Sequence, residues 1–366
     1  MASLSRNFDH CDARTGVLLA AAVESLPDNP ATISDVAARA GVGVGTVSRV
    51  LNGRTNVRPG TRAKVLDAIE ALRYRPSPVA RNLSLRRTHV IGVVVPFFTS
   101  HSAVERVRGV ASVLARSPYD LMLFDIEAED RREHAFRLFD RGDRSDGLLL
   151  LSLVPPDDEV ERLRAARLPC VLVDAPHSDF PSIVIDDVRG GELATSHLIE
   201  LGHRLIAFVG DKQRDPFRFA SSGDRTVGYE RALATAGIER RPEYVREGTQ
   251  SHQEARGIAI DLLRLPQRPT AIFAASDAQA LGVLEAARIL GIRVPEQLSV
   301  VGFDDVEVAA LVGLTTVRQP LFESGRRGAE LLLQLVASAE AVEPVLEQLP
   351  VEVVIRSTTA PPPSAS

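Results

Sequence analysis

Four side chains able to bond nucleic acid lie within one seven-residue segment: Thr46, Ser48, Arg49 and Asn52. Hydroxyl, amide and guanidinium groups are those that proteins place against DNA phosphates and base edges. Arg49 is the strongest candidate for base readout, because a guanidinium can bond guanine O6 and N7 in a bidentate way. A clamp on a phosphate is the competing role for the same side chain. The chemistry indicated is recognition of a DNA duplex.

The surrounding stretch TISDVAARAGVGVGTVSRVLN (32–52) has apolar residues at helical spacing on both sides of Gly41. This pattern predicts two short helices joined by a tight turn, the outline of a helix-turn-helix. Thr32 or Ser34 can cap the first helix, and Gly41 can adopt the left-handed backbone conformation in which such a helix ends. The second helix turns its polar side chains outward. A fragment of a plain helical bundle is the competing interpretation.

Two further helices are predicted downstream of this pair. TRAKVLDAIEALRY (61–74) has apolar residues on one face and follows a turn at 58–60. SPVARNLSLRR (77–87) starts with Ser77 as N-cap and Pro78 at the first helical position, and its helix continues through Leu83.

Charge is unevenly distributed along the chain, whose net charge is −5. Between residues 30 and 88, eleven Arg and Lys residues stand against three acidic ones, a net +8, so the remainder carries −13. A cationic part on an anionic body is typical of a nucleic-acid-binding protein, whose phosphate contacts give salt-sensitive affinity. Solvated basic faces are common, so the charge supports the helix-turn-helix interpretation without carrying it alone.

The composition is that of a soluble chain in a reducing compartment. Its 366 residues suffice for a small module and one or two larger domains. Cys11 and Cys170 cannot form a disulfide framework, and Cys170 opens an apolar run typical of a buried structural thiol. No run reaches the ~18 apolar residues of a membrane helix, and the VLLAAAV segment near the amino terminus is too short and too close to charges for a signal peptide. We expect a cytoplasmic protein with no membrane partner.

From residue 90 the pattern changes to short apolar runs that alternate with amphipathic helices. Nearly continuous apolar strands, each followed by a helix, indicate parallel sheets covered on both faces. About 270 residues of this pattern are too many for one small sheet, so two doubly wound α/β subdomains are expected. The predicted strands are HVIGVVVP (89–96), YDLMLFD (119–125), DGLLLLS (146–152), CVLVDAP (170–176), RLIAFVGD (204–211), TAIFAAS (270–276), LSVVGFDD (298–305) and VEVVIR (351–356).

Four motifs in order resemble the LacI/GalR (lactose-repressor) family of bacterial transcription regulators: DVAxxAGV (35–42), TVSRVLNG (46–53), TRxKVLxAIExLxYxP (61–76) and AxxL before a basic pair (80–83). The resemblance extends to about residue 361. It implies an all-α helix-turn-helix DNA-binding domain followed by a periplasmic-binding-protein-like effector domain of two doubly wound α/β subdomains. The expected parts are an unassigned extension (1–29), the DNA-binding domain (30–75), a hinge-helix linker (76–88), the ligand-binding and dimerisation domain (89–356) and a tail (357–366).

Within the effector domain, the resemblance implies crossings between subdomains near Asp186-Asp187, around 317–319 and near Glu343. The first subdomain is expected at about 89–187 plus 320–342, and the second at about 188–317 plus 344–356. No leucine heptad follows, so a homodimer without the family's tetramerising tail is expected.

In the family, the two positions that open the recognition helix carry specificity side chains, and here they are Val44 and Gly45. Valine can contact a thymine methyl group and glycine reads nothing, so other side chains and DNA shape must discriminate. The resemblance makes Leu83 a wedge: two linker helices, one per subunit, enter the minor groove and insert their leucines between base pairs. A packing role is the alternative for this leucine. The expected DNA contacts are Thr32, Ser34, Val44, Thr46, Ser48, Arg49, Asn52, Asn56 and Leu83.

An effector pocket is expected between the subdomains, outside the carboxyl ends of the strands. By match to family positions it contains Asp174, Arg225 and Asp304, which could hold ligand hydroxyls or a carboxylate. An interdomain salt bridge or a strand-end cap is the alternative for each. Phe97 or Phe98 could supply a stacking face or belong to the core. The expected ligand-binding residues are Phe97, Asp174, Arg225, Ser276 and Asp304.

Three functions compete for this combination. A repressor that binds a palindromic operator as a homodimer and responds to a small molecule fits best, and paired acidic and Arg groups suit a sugar better than an apolar effector. An exported solute-binding protein is opposed by the basic module and the missing signal sequence. An enzyme is opposed by the lack of GxGxxG after the first strand, of GxxxxGK and of metal-spaced Cys/His sets, so no catalytic residue, metal or cofactor is expected. The sequence leaves open the identity of the effector, whether it acts as an inducer or a co-repressor, and the operator sequence.

Overall fold

The computed structural model describes residues 31–51, 53–54, 56–74, 87–139, 143–212, 221–249, 251–338 and 343–363. The extension at 1–29, Asn52 and the linker helix with Leu83 lie outside these ranges. The chain divides into two compact units, one ending at Arg86 and the other running from Arg87 to Ser366. Within the described ranges, no helix combines the length and the apolar content needed to cross a bilayer.

The described part of the first unit packs three helices around a small apolar core. They are α1 (Ile33–Ala40), α2 (Val44–Leu51) and α3 (Pro59–Ala71). Apolar side chains three and four residues apart on each helix meet in the centre, where Val36, Val47 and Val65 are fully buried. The predicted helix-turn-helix is the pair α1 and α2.

Thr32, and not Ser34, caps helix α1. The hydroxyl of Thr32 accepts from the Asp35 N–H at 3.3 Å, and the Asp35 carboxylate accepts from the Thr32 N–H at 2.8 Å. This reciprocal capping box lowers the pKa of Asp35, chiefly through the Thr32 backbone hydrogen bond. Gly41 ends the helix at a φ of +63°, which glycine adopts without steric cost.

The described part of the second unit contains two six-stranded sheets. Their strands are β1 (Val90–Pro96), β2 (Asp120–Ile126), β3 (Gly147–Leu151), β4 (Cys170–Val173), β5 (Ser182–Ile185), β6 (Ile206–Asp211), β7 (Val245–Gly248), β8 (Ala271–Ala274), β9 (Ser299–Asp304), β10 (Thr315–Arg318), β11 (Leu346–Leu349) and β12 (Glu352–Val354). The first sheet has the order β11-β5-β4-β3-β1-β2 and is parallel, and the second has the order β12-β10-β9-β8-β6-β7, with β12 antiparallel. Both orders are doubly wound.

Helices cover both faces of these sheets. They are α4 (His101–Leu114), α5 (Glu129–Phe139), α6 (Asp157–Ala165), α7 (Asp187–Glu200), α8 (Ser221–Thr235), α9 (His252–Leu263), α10 (Asp277–Ile289), α11 (Glu307–Leu311) and α12 (Leu321–Ala337), with a 3₁₀ turn at Pro242–Tyr244. Successive residues of β1 enter different cores: Val94 packs with Phe136, whereas Val93 and Val95 pack with Leu332. Burial on both faces explains why such strands are continuous apolar runs in the sequence.

The predicted fold class is confirmed, and every predicted strand is present. The apolar pattern does not predict β5, β7, β10 or β11, which have four residues each. Cys170 is buried, and burial raises the pKa of its thiol, as a structural cysteine requires.

The chain passes between the two sheets after β5, after β10 and after β11. The predicted third crossing near Glu343 is wrong, because Leu346–Leu349 pairs in parallel with Ser182–Ile185 of the first sheet. The crossing lies at 350–351, between β11 and β12. Residues 344–349 therefore belong to the first subdomain and not to the second.

The segment after residue 356, predicted to be a tail, is bound into the second subdomain. The Thr358 hydroxyl donates to the Val300 carbonyl at 2.7 Å and accepts from the Thr315 N–H at 2.8 Å. The Thr358 carbonyl accepts from the Val300 N–H at 2.8 Å. The predicted boundary at 356 is wrong for this reason, and residues 357–360 are part of the second subdomain.

His203 holds the same segment and gives it a pH dependence. Its buried Nε2 lies 2.9 Å from the Ala360 carbonyl oxygen, and its Nδ1 lies 2.9 Å from the Thr270 hydroxyl. Burial lowers the pKa of His203, so below about pH 6.5 the unfolded chain binds more protons than the folded one. The stabilisation from neutral His203 is thus present above this pH and is lost as the pH falls through it.

His203→Gln is expected to reduce this acid sensitivity. Urea unfolding at about pH 7.5 and about pH 5.5 should show a smaller loss of the free energy of unfolding in the variant than in the wild type. His101→Gln, at an exposed helix start, is the control and should behave as the wild type. The same pH-dependent loss in His203→Gln and the wild type would contradict the assignment.

Candidate DNA interface and effector cleft

Helix α2 presents polar side chains on the face opposite its core residues. Val47 and Val50 are buried in the core of the first unit. At about 100° per residue, this orientation directs Gly45, Ser48 and Arg49 away from the core. Arg49 is exposed and lies in the last turn of the helix. The face can therefore reach a groove of DNA with a guanidinium and a hydroxyl.

The other described residues predicted to contact DNA have different degrees of exposure. Val44 and Ser34 are exposed, Thr46 is half-buried, and Asn56 is exposed in the loop between α2 and α3. Thr32 is exposed as well, but its hydroxyl is engaged with Asp35 in the capping box. Asn52 and Leu83 lie outside the described residues, so their predicted roles stay predictions.

A cleft in the second unit brings together the five residues predicted to bind ligand. It lies at the carboxyl ends of strands from both sheets, at the position where doubly wound folds bind ligands. Its cavity volume is about 40 Å³. The lining consists of Pro96, Phe97, Ser100, Ser102, Ala103, Arg106, Ser152, Asp174, Ser221, Arg225, Ser276, Asp304 and Gln319.

On the first-subdomain side, the cleft contains a buried ion pair between Arg106 of α4 and Asp174, which follows β4. Arg106 Nη2 lies 2.9 Å from Asp174 Oδ2, and the Ser152 hydroxyl donates to the same oxygen at 2.8 Å. Arg106 Nε is buried without a hydrogen-bond partner among the described residues. Because an unsatisfied buried donor is costly, a ligand oxygen that accepts from this N–H would bind favourably.

On the second-subdomain side, Arg225 of α8 is fixed from three directions. Its Nε donates to Asp187 Oδ1 at 2.8 Å, its Nη1 donates to the Ala275 carbonyl at 2.5 Å, and its guanidinium carbon lies 3.6 Å from the Phe303 ring centroid. Burial raises the pKa of Asp187 to about 7, although the Arg225 charge acts in the opposite direction. The cleft therefore presents Arg225 as a rigid cation.

Gln319, at the second crossing, connects the two subdomains across the cleft. Its Nε2 donates to Asp304 Oδ1 at 2.5 Å, and its Oε1 accepts from Arg106 Nη2 at 3.0 Å. Asp304 ends β9 of the second sheet, whereas Arg106 belongs to the first subdomain. Burial raises the pKa of Asp304, with Arg225 opposing. A change in the separation of the subdomains must break or rearrange this chain of hydrogen bonds.

Four lining residues have a left-handed backbone, which favours glycine. The φ angles are +49° for Phe97, +50° for Ser152, +62° for Asp174 and +120° for Asp304. Such conformations cost about 1–3 kcal/mol each and occur at ligand sites, where the surrounding structure enforces them. They set the directions in which the side chains enter the cleft.

Ser276 has a second role at the cleft. Its hydroxyl accepts from the Gln279 N–H at 3.2 Å and caps helix α10.

The sequence pattern did not identify four residues of the ion and hydrogen-bond network: Arg106, Ser152, Asp187 and Gln319. Ser152 is the last residue of a predicted strand and directly follows the observed β3, and Asp187 and Gln319 lie at predicted crossings, so their positions in the pattern carried a signal. Arg106 had none, since only the packing of α4 distinguishes this buried arginine from its exposed neighbours.

These features define a class of protein: DNA-binding regulators with an effector domain. The helix-turn-helix has an outward polar helix, and the α/β unit that follows it in the chain has two lobes and a polar cleft. The model of the bacterial regulatory proteins of the lacI family matches residues 32–77. That of the periplasmic binding protein-like domain matches residues 195–359. Catabolite control protein A of Priestia megaterium is 34% identical over 332 residues, which cover 90% of this chain and 99% of that protein.

Solved structures agree with these matches. A lac repressor dimer bound to operator and the anti-inducer ONPF is 30% identical, with a TM-score of 0.76, and the match covers 91% of this chain and 100% of that one. The transcriptional regulator CelR in complex with cellobiose is 34% identical, with a TM-score of 0.67 and coverage of 90% and 99%. The chain belongs to the LacI family of bacterial transcriptional regulators.

Proposed function

We propose that this protein is a repressor that binds a palindromic operator as a homodimer and whose affinity for that operator changes when it binds a carbohydrate. The observation that carries the proposal is the cleft in which Arg106, Gln319 and Asp304 link the two subdomains, in a chain that also carries a helix-turn-helix. The protein acts in the cytoplasm and is not an enzyme. The cellobiose held by CelR and the operator held by the lac repressor support both ligand classes.

The chemistry of the cleft favours a polyhydroxylated effector. Asp174 and Asp304 supply carboxylate acceptors for sugar hydroxyls, and the buried Arg106 Nε supplies a donor for a hydroxyl or ring oxygen. Phe97, a lining residue that is 40% exposed, offers an apolar face for a sugar ring. An apolar effector would leave the buried Arg106 Nε without a partner, which opposes its binding.

The mechanism follows from the position of the cleft. An effector that inserts between the subdomains competes for Arg106 and Asp304, changes the separation of the subdomains and so shifts the geometry from which the two linkers of a dimer emerge. The coupling is reciprocal: an inducer weakens operator binding by the factor by which the operator weakens inducer binding.

The experiment is a titration on a defined operator. A palindrome selected from a random duplex library, or found upstream of neighbouring transport or glycosidase genes, is labelled and bound at fixed salt. A panel of monosaccharides and disaccharides is then added. We expect at least one sugar to change operator affinity at least fivefold, the lower end of typical allosteric coupling. If operator affinity is indifferent to the whole panel while the operator still binds, the carbohydrate switch is wrong.

A further inference from the structure

The chain enters the effector unit through a bonded turn at Thr88 and His89, just before β1. The Asp146 carboxylate, which precedes β3, accepts three hydrogen bonds from these two residues. Its Oδ1 accepts from the Thr88 N–H at 2.6 Å and the Thr88 hydroxyl at 2.9 Å, and its Oδ2 accepts from the His89 N–H at 3.0 Å. One side chain thus binds two successive backbone amides of a segment nearly sixty residues away.

The same turn is strained and enclosed. His89 has a φ of +54°, which costs about 1–3 kcal/mol for a residue with a side chain. Its carbonyl accepts from the Asp120 N–H at 2.8 Å, and its ring lies 5.8 Å from that of Tyr119. Its Nδ1 is buried with no partner in the described part of the chain. Such a conformation persists only where its surroundings enforce it, and Asp146 supplies the enforcing bonds.

Sheet formation does not require this arrangement. β1 is already aligned with β3 by the ladder from Ile91–Gly147 onward and by the hydrogen bond from the Asp146 backbone N–H to the Val90 carbonyl. The carboxylate adds nothing to that ladder. It fixes instead the two residues that precede β1, which continue directly to Arg87 and to the chain of the DNA-binding unit.

We infer that Asp146 is a positioning residue for operator binding: it makes the entry turn rigid, so that the direction in which the chain leaves β1 follows the first sheet. Because the chain is continuous, a movement passed along the backbone from the effector unit to the DNA-binding helices must pass through residues 87–89. A carboxylate that holds both amides transmits a movement of β1 and β3, whereas a loose turn absorbs it. The inference rests on the proposed function.

The test compares Asp146→Ala with Asp120→Ala. Asp120 is an exposed aspartate at the start of the neighbouring strand, and alanine keeps the backbone N–H that bonds His89. The probes are the selected palindrome, an unrelated duplex of equal length and the sugar panel described above.

Without sugar, Asp146→Ala should bind the palindrome at least tenfold more weakly than the wild type does, and it should bind the unrelated duplex within about twofold of the wild type. The ratio of operator affinities without and with sugar, typically about 5–150-fold for an intact coupling, should move towards one in Asp146→Ala, while sugar affinity stays within about twofold of the wild type. Asp120→Ala should match the wild type throughout.

Unchanged operator affinity and an unchanged ratio in Asp146→Ala would overturn the inference. So would the same losses in Asp120→Ala. If Asp146→Ala does not fold, Asp146→Asn decides, because an amide has one acceptor oxygen and cannot hold both backbone N–H groups: a wild-type affinity and ratio in that variant reject the inference, and reduced ones support it. If no sugar affects the wild type, the proposed switch fails, yet a selective loss of palindrome affinity in Asp146→Ala still supports the positioning role.

Discussion

Arg49→Ala is expected to remove operator preference while leaving the effector domain intact. Arg49 is exposed on the outward face of α2, and the core of the helix pair depends on Val47 and Val50. A bidentate guanidinium–guanine contact contributes about 1–3 kcal/mol of discrimination per half-site. A dimer on a palindrome should therefore lose about 30-fold to 10⁴-fold in specific affinity. Mobility-shift titrations on the selected palindrome and on an unrelated duplex measure both affinities.

Arg39→Ala is the matched control for charge. Arg39 is an exposed arginine in the last turn of α1, and its removal lowers the net charge by the same amount. Both variants should flatten the dependence of affinity on salt by a similar amount, because each removes one phosphate-attracting charge. Arg49→Ala alone should bring the palindrome and the unrelated duplex to nearly the same affinity. If it weakens both duplexes equally, Arg49 is a phosphate clamp and base readout lies elsewhere.

The sequence predicts a strand of this fold where the burial of that strand alone sets its pattern of apolar residues. Strands such as β1 and β3 are buried on both faces, so their apolar runs are visible without knowledge of their neighbours. β11 is different: Leu346–Leu349 is a short edge strand with exposed and half-buried residues in alternation. Nothing in such a segment specifies which sheet it joins, which is why the third crossing was misplaced.

The site shows the same limit at single-residue scale. Two pairs of neighbouring aspartates have different surroundings: Asp186 caps helix α7 while Asp187 binds Arg225, and Asp304 binds Gln319 while Asp305 binds two arginines. Resemblance to a family predicts Asp304 as a pocket residue, and Asp304 lines the cleft. The partners that hold the lining carboxylates come from distant helices and crossings, so their pairing is decided by tertiary packing and not by local spacing.

Asp304→Asn should reduce sugar affinity about 10- to 100-fold without lowering stability. A charge-assisted hydrogen bond from a ligand hydroxyl to Asp304 is worth about 1.5–3 kcal/mol, and a neutral amide oxygen replaces it poorly. The amide oxygen of the new side chain still accepts from the Gln319 amide. Because burial raises the pKa of Asp304, the fold favours the neutral form of this side chain, and replacing it with a neutral amide should leave the melting temperature unchanged or higher. Calorimetric titration with the most active sugar and thermal unfolding measure the two quantities.

Asp305→Asn is the matched control, with the opposite expectation. The Asp305 carboxylate lies 2.7 Å from Arg318 Nε and 2.6 Å from Arg356 Nη2, and its side chain is only 7% exposed. Losing this charge leaves two cations with a neutral acceptor, so the melting temperature should fall while sugar affinity stays close to that of the wild type. The two neighbours thus separate ligand binding from stability at one strand end. If sugar affinity is unchanged in Asp304→Asn, or falls equally in both variants, the hydroxyl contact assigned to Asp304 does not exist and the ligand binds elsewhere in the cleft.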